Sequence, residues 1–340
     1  MENFKKSIYC LASFIIIFST FFMLIGCAKP TTEGNNKALN KTKKDTFVVA
    51  IPKIAMCWIP PGEFDMGSNF YASIENPEEA KWFTNEAPVH HVKLTKGFWM
   101  GETAITVAQF RHFIEATGYV TTAEKIGKSL GVYEEMASGK GHWTIGDGLS
   151  WHHPGFDIDE CQPVVHVSWL DACAFCEWLS SNDTTKSYSL PTEAQWEYAA
   201  SSAGIYVYSW GNSFPNGKQG GNIADKSFAV RFPRWNYPTL LDYDDGFVFV
   251  SPVRSYDPNK FGLYDMTGNV WEWMRDYYSE TYYSISPDND PEGPLEGINR
   301  SLRGGGFDWE MSFLRVAKRR NLSPDSTAIN VGFRIVGVEK

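Results

Sequence analysis

Apolar and polar positions divide the chain into three regimes. Residues 8–25 form an apolar run broken only by small and hydroxyl-bearing side chains, and residues 28–46 are polar and poor in large apolar groups. From residue 47 onward, short apolar stretches alternate with glycine, proline and charge, which predicts many short elements rather than a few long ones. Three helices are marked by capping boxes, in which a cap side chain takes the amide three residues on and that residue's side chain reaches back. Thr106 and Gln109 open the first, which carries Phe110, Phe113 and Ile114 on one face and stops at Gly118. Ser168 and Asp171 open the second, with Ala172, Cys173, Cys176 and Leu179 at helical spacing. Thr192 and Gln195 open the third, just after Pro191. Strands are expected at 56–59 and 64–66, joined as a hairpin through Pro60-Pro61-Gly62, and again at 89–99 and 331–338. His166 lies in an alternating, strand-like run and is expected to be a buried, satisfied histidine.

The stretch 262–273 fits neither period. Gly262 and Gly268, the carboxylates Asp265 and Glu272, and Trp271 and Trp273 crowd into it. Glycine permits positive φ and close backbone approach, so a turn at Gly268 could aim carbonyls and carboxylates at one point, as calcium requires. A tryptophan-plugged core loop without metal fits the spacing equally.

Composition enlarges the picture. With 43% hydrophobic and 21% charged residues over 340 positions, the chain can bury a sizeable core and is not a disordered polyelectrolyte. Aromatics reach 15%, alongside 29 Gly and 18 Pro, which points to a loop-rich fold filled by large rings. A formal net charge of -9 argues against nucleic acid as a partner.

Lys5 and Lys6 precede the apolar run, and Leu24-Ile25-Gly26-Cys27 has the form of a bacterial lipobox. Residues 1–27 then read as a lipoprotein signal, 28–46 as a flexible tether and 47–340 as the folded domain. The resemblance implies cleavage before Cys27, acylation there, and a membrane-anchored, extracytoplasmic place in the cell envelope, since several acyl chains give a lasting anchor. An uncleaved N-terminal membrane anchor is the alternative. Of 6 cysteines, Cys10 and Cys27 belong to this segment, leaving Cys57, Cys161, Cys173 and Cys176, with none afterwards. Pairing cannot be deduced from spacing. Cys173 and Cys176 have CxxC spacing inside a helix and are expected as buried, reduced thiols. His90-His91, His142 and His152-His153 show no helical i, i+4 pair, so a histidine metal site is not expected.

Several blocks resemble, in order, the formylglycine-generating enzyme (sulfatase-modifying factor) family. They are Pro60-Pro61-Gly62-Glu63-Phe64-Asp65-Met66-Gly67-Ser68, Pro163-Val164-Val165-His166-Val167-Ser168-Trp169, Leu190-Pro191-Thr192-Glu193-Ala194-Gln195-Trp196-Glu197-Tyr198-Ala199, Gly268-Asn269-Val270-Trp271-Glu272-Trp273 and Gly332-Phe333-Arg334. The resemblance implies an α+β, C-type-lectin-like fold with a small antiparallel sheet, short helices and long loops. It also implies two structural calcium sets: Asp265 and Glu272 side chains with Gly268 and Val270 carbonyls, and Asn222, Ile223, Asp245 and Phe247.

The family's enzymes oxidise a sulfatase cysteine with two cysteines placed after Arg-Gly-Gly, soft thiolates that hold Cu(I) and activate oxygen. Here that segment follows Arg303-Gly304-Gly305 and has no thiol; Trp309 and Met311 fall near the two positions. Copper is therefore not expected. Three functions stay open: a non-catalytic module binding a protein, peptide or glycan; an enzyme of other chemistry using Asp308 or Glu310; and a structural subunit of an envelope machine. For the first, the expected surface is Trp271, Phe307, Asp308, Trp309, Glu310, Ser312, Phe313, Arg319 and Arg320, because Trp, Phe and Arg dominate interface energetics. Alternatively Phe307, Trp309 and Phe313 point inward as core, and Arg315, Arg319 and Arg320 pair with the acidic surplus.

Overall fold

The computed structural model describes residues 46–340; the lipobox and nearly all of the expected tether lie outside them. In chain order the described elements are β1 (Thr46–Val49), β2 (Ile54–Ile59), β3 (Gly62–Met66), α1 (Pro77–Ala80), β4 (His90–Leu94), β5 (Phe98–Gly101), α2 (Val107–Thr117) and α3 (Thr122–Ile126). Then come β6 (Lys128–Glu135), β7 (Gly141–Asp147), α4 (Trp169–Ser181), β8 (Lys186–Ser189), α5 (Glu193–Ala200) and α6 (Lys226–Arg231). The C-terminal part adds β9 (Trp271–Tyr277), β10 (Arg300–Arg303), β11 (Arg320–Leu322), β12 (Val331–Gly332) and β13 (Val336–Glu339). The result is α+β, with short helices against small sheets ordered β1-β2-β5-β13-β8 and β11-β10-β9-β12, plus the ribbons β3-β4 and β6-β7.

All three expected helices are present, opened by the expected caps. The Thr106 hydroxyl accepts the Gln109 amide while Gln109 Oε1 accepts the Thr106 amide at 3.0 Å, and Gly118 ends α2 in the left-handed conformation. Ser168 with Asp171 opens α4 and Thr192 with Gln195 opens α5 in the same reciprocal way. Each cap is worth about 1 kcal/mol against alanine. A fourth box, Thr121 with Glu124, opens the short helix α3.

The strands depart further from expectation. Pro60-Pro61-Gly62 does not turn a hairpin: β2 pairs with β1 and β5, whereas β3 pairs with β4 in another sheet. Residues 89–99 likewise split into β4 and β5, and 331–338 into β12 and β13, each pair divided between two sheets. His166 stands in no strand; it is buried with φ 57°. Trp271, expected in an irregular stretch, begins β9, an inner strand of the four-stranded sheet paired with β10 and, in parallel, with β12. Its first four residues are all buried, so it has no alternation to betray it.

The core is aromatic, with Trp196, Trp271 and Trp273 among its largest fully buried side chains. Arg303, Arg319 and Arg334 are buried beside them, and charges so placed must be paired. Arg334 grips both Glu272 oxygens at 2.9 and 2.7 Å, and Arg303 pairs with Glu193 and Glu197.

Candidate ligand-binding cavity

The segment after β10 begins with a turn that only glycine makes. Gly304 and Gly305 have φ 103° and 80°, and a Cβ on Gly305 would run into Leu314 Cδ2. The chain then crosses the core to β11 and helps to wall a cavity of about 280 Å³. Five residues expected from sequence line it: Trp271, Trp309, Phe313, Arg319 and Arg320. Trp82, Asn85, Tyr237, Lys318 and Asn321 come in beside them. Trp82 stands at the mouth, 46% exposed, with its ring 5.4 Å from Phe313 and 6.1 Å from Tyr237. Tyr237 stacks on Trp309 at 5.3 Å, and Trp271 meets Trp309 edge-on at 6.0 Å.

Four expected surface residues are placed elsewhere. Phe307 is fully buried, packed on Phe249 and Phe228. Asp308 is buried behind the cavity wall, accepting Trp143 Nε1–H at 2.8 Å and Asn330 Nδ2–H at 2.9 Å; burial raises its carboxyl, with those two donors opposing. Glu310 caps the turn Met311–Phe313 through the Ser312 amide and hydroxyl, so Glu310 and Ser312 satisfy one another. Neither carboxylate lines the cavity, so neither is set up there as a catalytic group.

The cations divide. Arg319 is buried and forked onto Glu193 at 2.7 and 3.0 Å. Burial works against the Glu193 charge, but Arg319 and Arg303 outweigh it and hold that carboxyl down at about 2. Arg315 forks onto Glu86 in the same way. Arg320 has no carboxylate within ion-pair distance among the described residues. Its guanidinium lies 5.5 Å from the Trp271 ring and 5.4 Å from Trp309. Burial lowers its affinity for the proton, with the more distant Asp308 opposing. Lys318, pushed down to about 8 by burial, donates to the Trp82 carbonyl. A second hollow, of about 390 Å³, runs past Ser68, Phe70 and Tyr206; its buried charges Glu197 and Arg315 are already paired within the protein, and its third, Asp65, is exposed.

Cysteine and histidine chemistry lies away from the cavity. Among the described residues no cysteine lines it. Cys173 and Cys176 are thiols on α4; burial pushes Cys173 up to about 12 and Cys176 well above the ordinary range, which makes them poor nucleophiles. His166 is satisfied, its Nδ1 2.7 Å from Ser129 Oγ and its Nε2 3.2 Å from the Pro154 carbonyl. Among the described residues no three His, Cys, Asp or Glu side chains gather around one point.

The two oxygen sets expected for calcium differ. Asn222 Oδ1 is buried without a partner. Asp245 beside it accepts the Ile223 and Phe247 amides at 3.0 and 2.7 Å, and its own amide donates to Asp225. Burial and then Asp225 push Asp245 up to about 8. An unmet amide oxygen beside two mutually repelling carboxylates fits a hard cation. In the second set Asp265 Oδ1 is also unmet. Glu272, however, is committed to Arg334 and to Trp196 Nε1–H at 2.7 Å, and the Gly268 carbonyl accepts the Val270 amide. That set therefore has fewer oxygens left for a cation than the first.

Small curled sheets with short helices, closed by the Arg-Gly-Gly turn and the Gly-Phe-Arg segment leading from β12 to β13, define the class: a C-type-lectin-like domain of the formylglycine-generating type. The chain belongs to the family described as "Sulfatase-modifying factor enzyme 1-like domain", which residues 45–338 match. It is similar to the formylglycine-generating enzyme of Streptomyces coelicolor, 40% identical over 297 residues covering 81% of this chain and 87% of that protein. It is also similar to the Bos taurus protein named inactive C-alpha-formylglycine-generating enzyme 2, 33% identical over 307 residues, 83% of this chain and 87% of that one. PvdO from Pseudomonas aeruginosa shares the fold, at TM-score 0.63 and 24% identity over 87% of this chain and 99% of that one.

Trp82, Asn85, Tyr237, Lys318 and Asn321 are not among the residues expected from sequence. For Trp82 a signal exists, a large ring in a polar, acidic stretch with no core periodicity. For Asn85 nothing local distinguishes it.

Proposed function

We propose that this chain is a bacterial cell-envelope lipoprotein whose domain holds a ligand in the cavity walled by Trp82, Trp309 and Arg320, and that it does not generate formylglycine. One observation carries the second part: no cysteine follows Cys176, so the segment after Arg303 has no thiolate pair. An indole and a thioether near those positions do not replace thiolates as Cu(I) ligands. The relative named inactive is in keeping with this reading. The binding role is supported by the aromatic wall and by the cation that faces it without a carboxylate. Ligand pockets are typically apolar hollows with a few placed polar groups. The partner is a protein, peptide or glycan outside the cytoplasm. Calcium at the Asn222–Asp245 set would be structural, with Asn222 and Asp245 side chains and the Ile223 and Phe247 carbonyls as its holders.

Incubated with copper, oxygen and a Cys-X-Pro-X-Arg peptide, the protein should leave the peptide cysteine intact; a mass change to the aldehyde defeats the proposal. Labelled palmitate should enter the chain only when Cys27 is present, and equal labelling of Cys27→Ser would remove the anchor from it.

A further inference from the structure

Resting on that binding reading, we infer that the cavity takes a ring-shaped ligand bearing an oxyanion, its ring laid against Trp82 and Phe313 and its oxyanion met by Arg320. The buried arginines Arg303, Arg315, Arg319 and Arg334 each meet a glutamate of the same chain. Half-buried Arg300 lies between the Trp169 and Tyr277 rings and donates to the Arg275 carbonyl, whereas half-buried Arg320 is given no oxygen acceptor among the described residues. At Arg320 the chain supplies two indole faces and no carboxylate. Arg320 Nη1 is buried without a partner, and Arg320 Nε and Nη2, which also have none among the described residues, are the atoms of this cavity-lining side chain left open to a ligand. Buried donors are costly to leave unmet and rarely are. Lys318 adds a second cation that has no carboxylate within ion-pair distance among the described residues. Asp308, the acid whose charge reaches Arg320, is spent on Trp143 and Asn330. A positive, donor-rich hollow therefore sits in a chain of net charge -9.

A guanidinium fork matches the two oxygens of a carboxylate or sulfate. The rest of the wall is aromatic and receives a flat body, whether a planar ring or the apolar face of a sugar. The volume, about 280 Å³, lies at the small end of ligand pockets and suits one such ring. The aromatic C-terminal residue of a peptide, with its carboxylate, and an acidic sugar residue of a glycan share this chemistry.

Calorimetry on the full-length protein in detergent tests the inference with five probes. Phenylacetate and glucuronate are the ring acids, phenylacetamide and glucose their neutral analogues, and acetate the ringless acid. At least one ring acid should bind about tenfold or more tighter than its neutral analogue and than acetate. Arg320→Gln should abolish that preference, and Arg320→Lys should keep part of it. Tighter phenylacetate points to the aromatic carboxyl end of a peptide and tighter glucuronate to a glycan; either supports the inference. If neutral analogues bind as well as the acids, the oxyanion assignment falls while the binding reading stands. If acetate equals the ring acids, the ring assignment falls. If no probe binds, the inference is overturned, and the binding reading is then decided by ligand capture with and without Trp309.

Discussion

Arg315 lies fork to fork on Glu86, Nη1 to Oε2 at 2.6 Å and Nη2 to Oε1 at 2.7 Å, with both side chains buried. The pair ties the polar segment that carries Trp82 and Asn85 to the segment that carries Trp309 and Phe313, so it holds two walls of one cavity together. Breaking one partner leaves a buried charge uncompensated, which costs about 3–5 kcal/mol. Glu86→Gln should lower stability by that order in urea denaturation, and adding Arg315→Met should recover a good part. A loss below about 1 kcal/mol for Glu86→Gln would mean that the pair is not holding the walls.

Two tryptophans of the cavity should respond differently to truncation. Trp271 is fully buried on β9, so Trp271→Ala should cost on the order of 3–5 kcal/mol. Trp309 is only partly buried, and Trp309→Ala combined with Glu310→Ala should leave the melting temperature within a few degrees while removing capture of any ligand recovered by pull-down. Equal loss of stability in the two variants would make Trp309 a core residue.

Calcium should raise the melting temperature by mass action if only the folded state binds it. The rise between EDTA and millimolar calcium should vanish in Asp245→Asn and persist in Glu272→Gln measured against its own EDTA baseline. No change in the wild type, with no metal found by mass spectrometry, would sink calcium altogether.

Burial holds the His166 imidazole neutral, pushing it down to about 4. The unfolded histidine takes its proton near 6.5. Between these values the unfolded chain binds more protons, so the His166 contribution is complete above about 6.5 and fades as pH falls toward about 4. His166→Asn, which tolerates the left-handed backbone there, should be less stable near neutrality. The gap to wild type should narrow through that acid window. A gap that stays constant would show that the buried ring is not excluded from protonation.

The helices were legible because their signals are local. Thr106 with Gln109, Ser168 with Asp171 and Thr192 with Gln195 each announce a start within four residues, whatever packs on the helix later. The sheets were not, because pairing is decided elsewhere: Pro60-Pro61-Gly62 looks like a hairpin turn, yet β2 and β3 find different partners far along the chain. The family resemblance supplied the fold that periodicity could not. Within the candidate site, the richness of the C-terminal segment in Trp and Arg pointed to Trp309, Phe313 and Arg320, but an irregular segment has no period to separate inside from outside, so Phe307 and Asp308 were placed on the surface when they lie in the core. Arg315 and Arg319 do pair with acidic residues, as the alternative had it, and Arg320 does not. Trp82, Asn85 and Tyr237 reach the cavity along loops, and only the folded chain brings them there.

Residues 336–339 form β13, which lies between β5, made from residues 98–101, and β8, made from 186–189. A ribosome or translocon that has delivered everything up to residue 330 has therefore delivered a sheet with its inner position vacant. The five-stranded sheet cannot close in step with synthesis from the N-terminal side. The chain must be kept soluble until β13 arrives, and then close many distant contacts at once, a slow topology. Truncating the chain before β13 should therefore unseat both β5 and β8, not merely fray one edge.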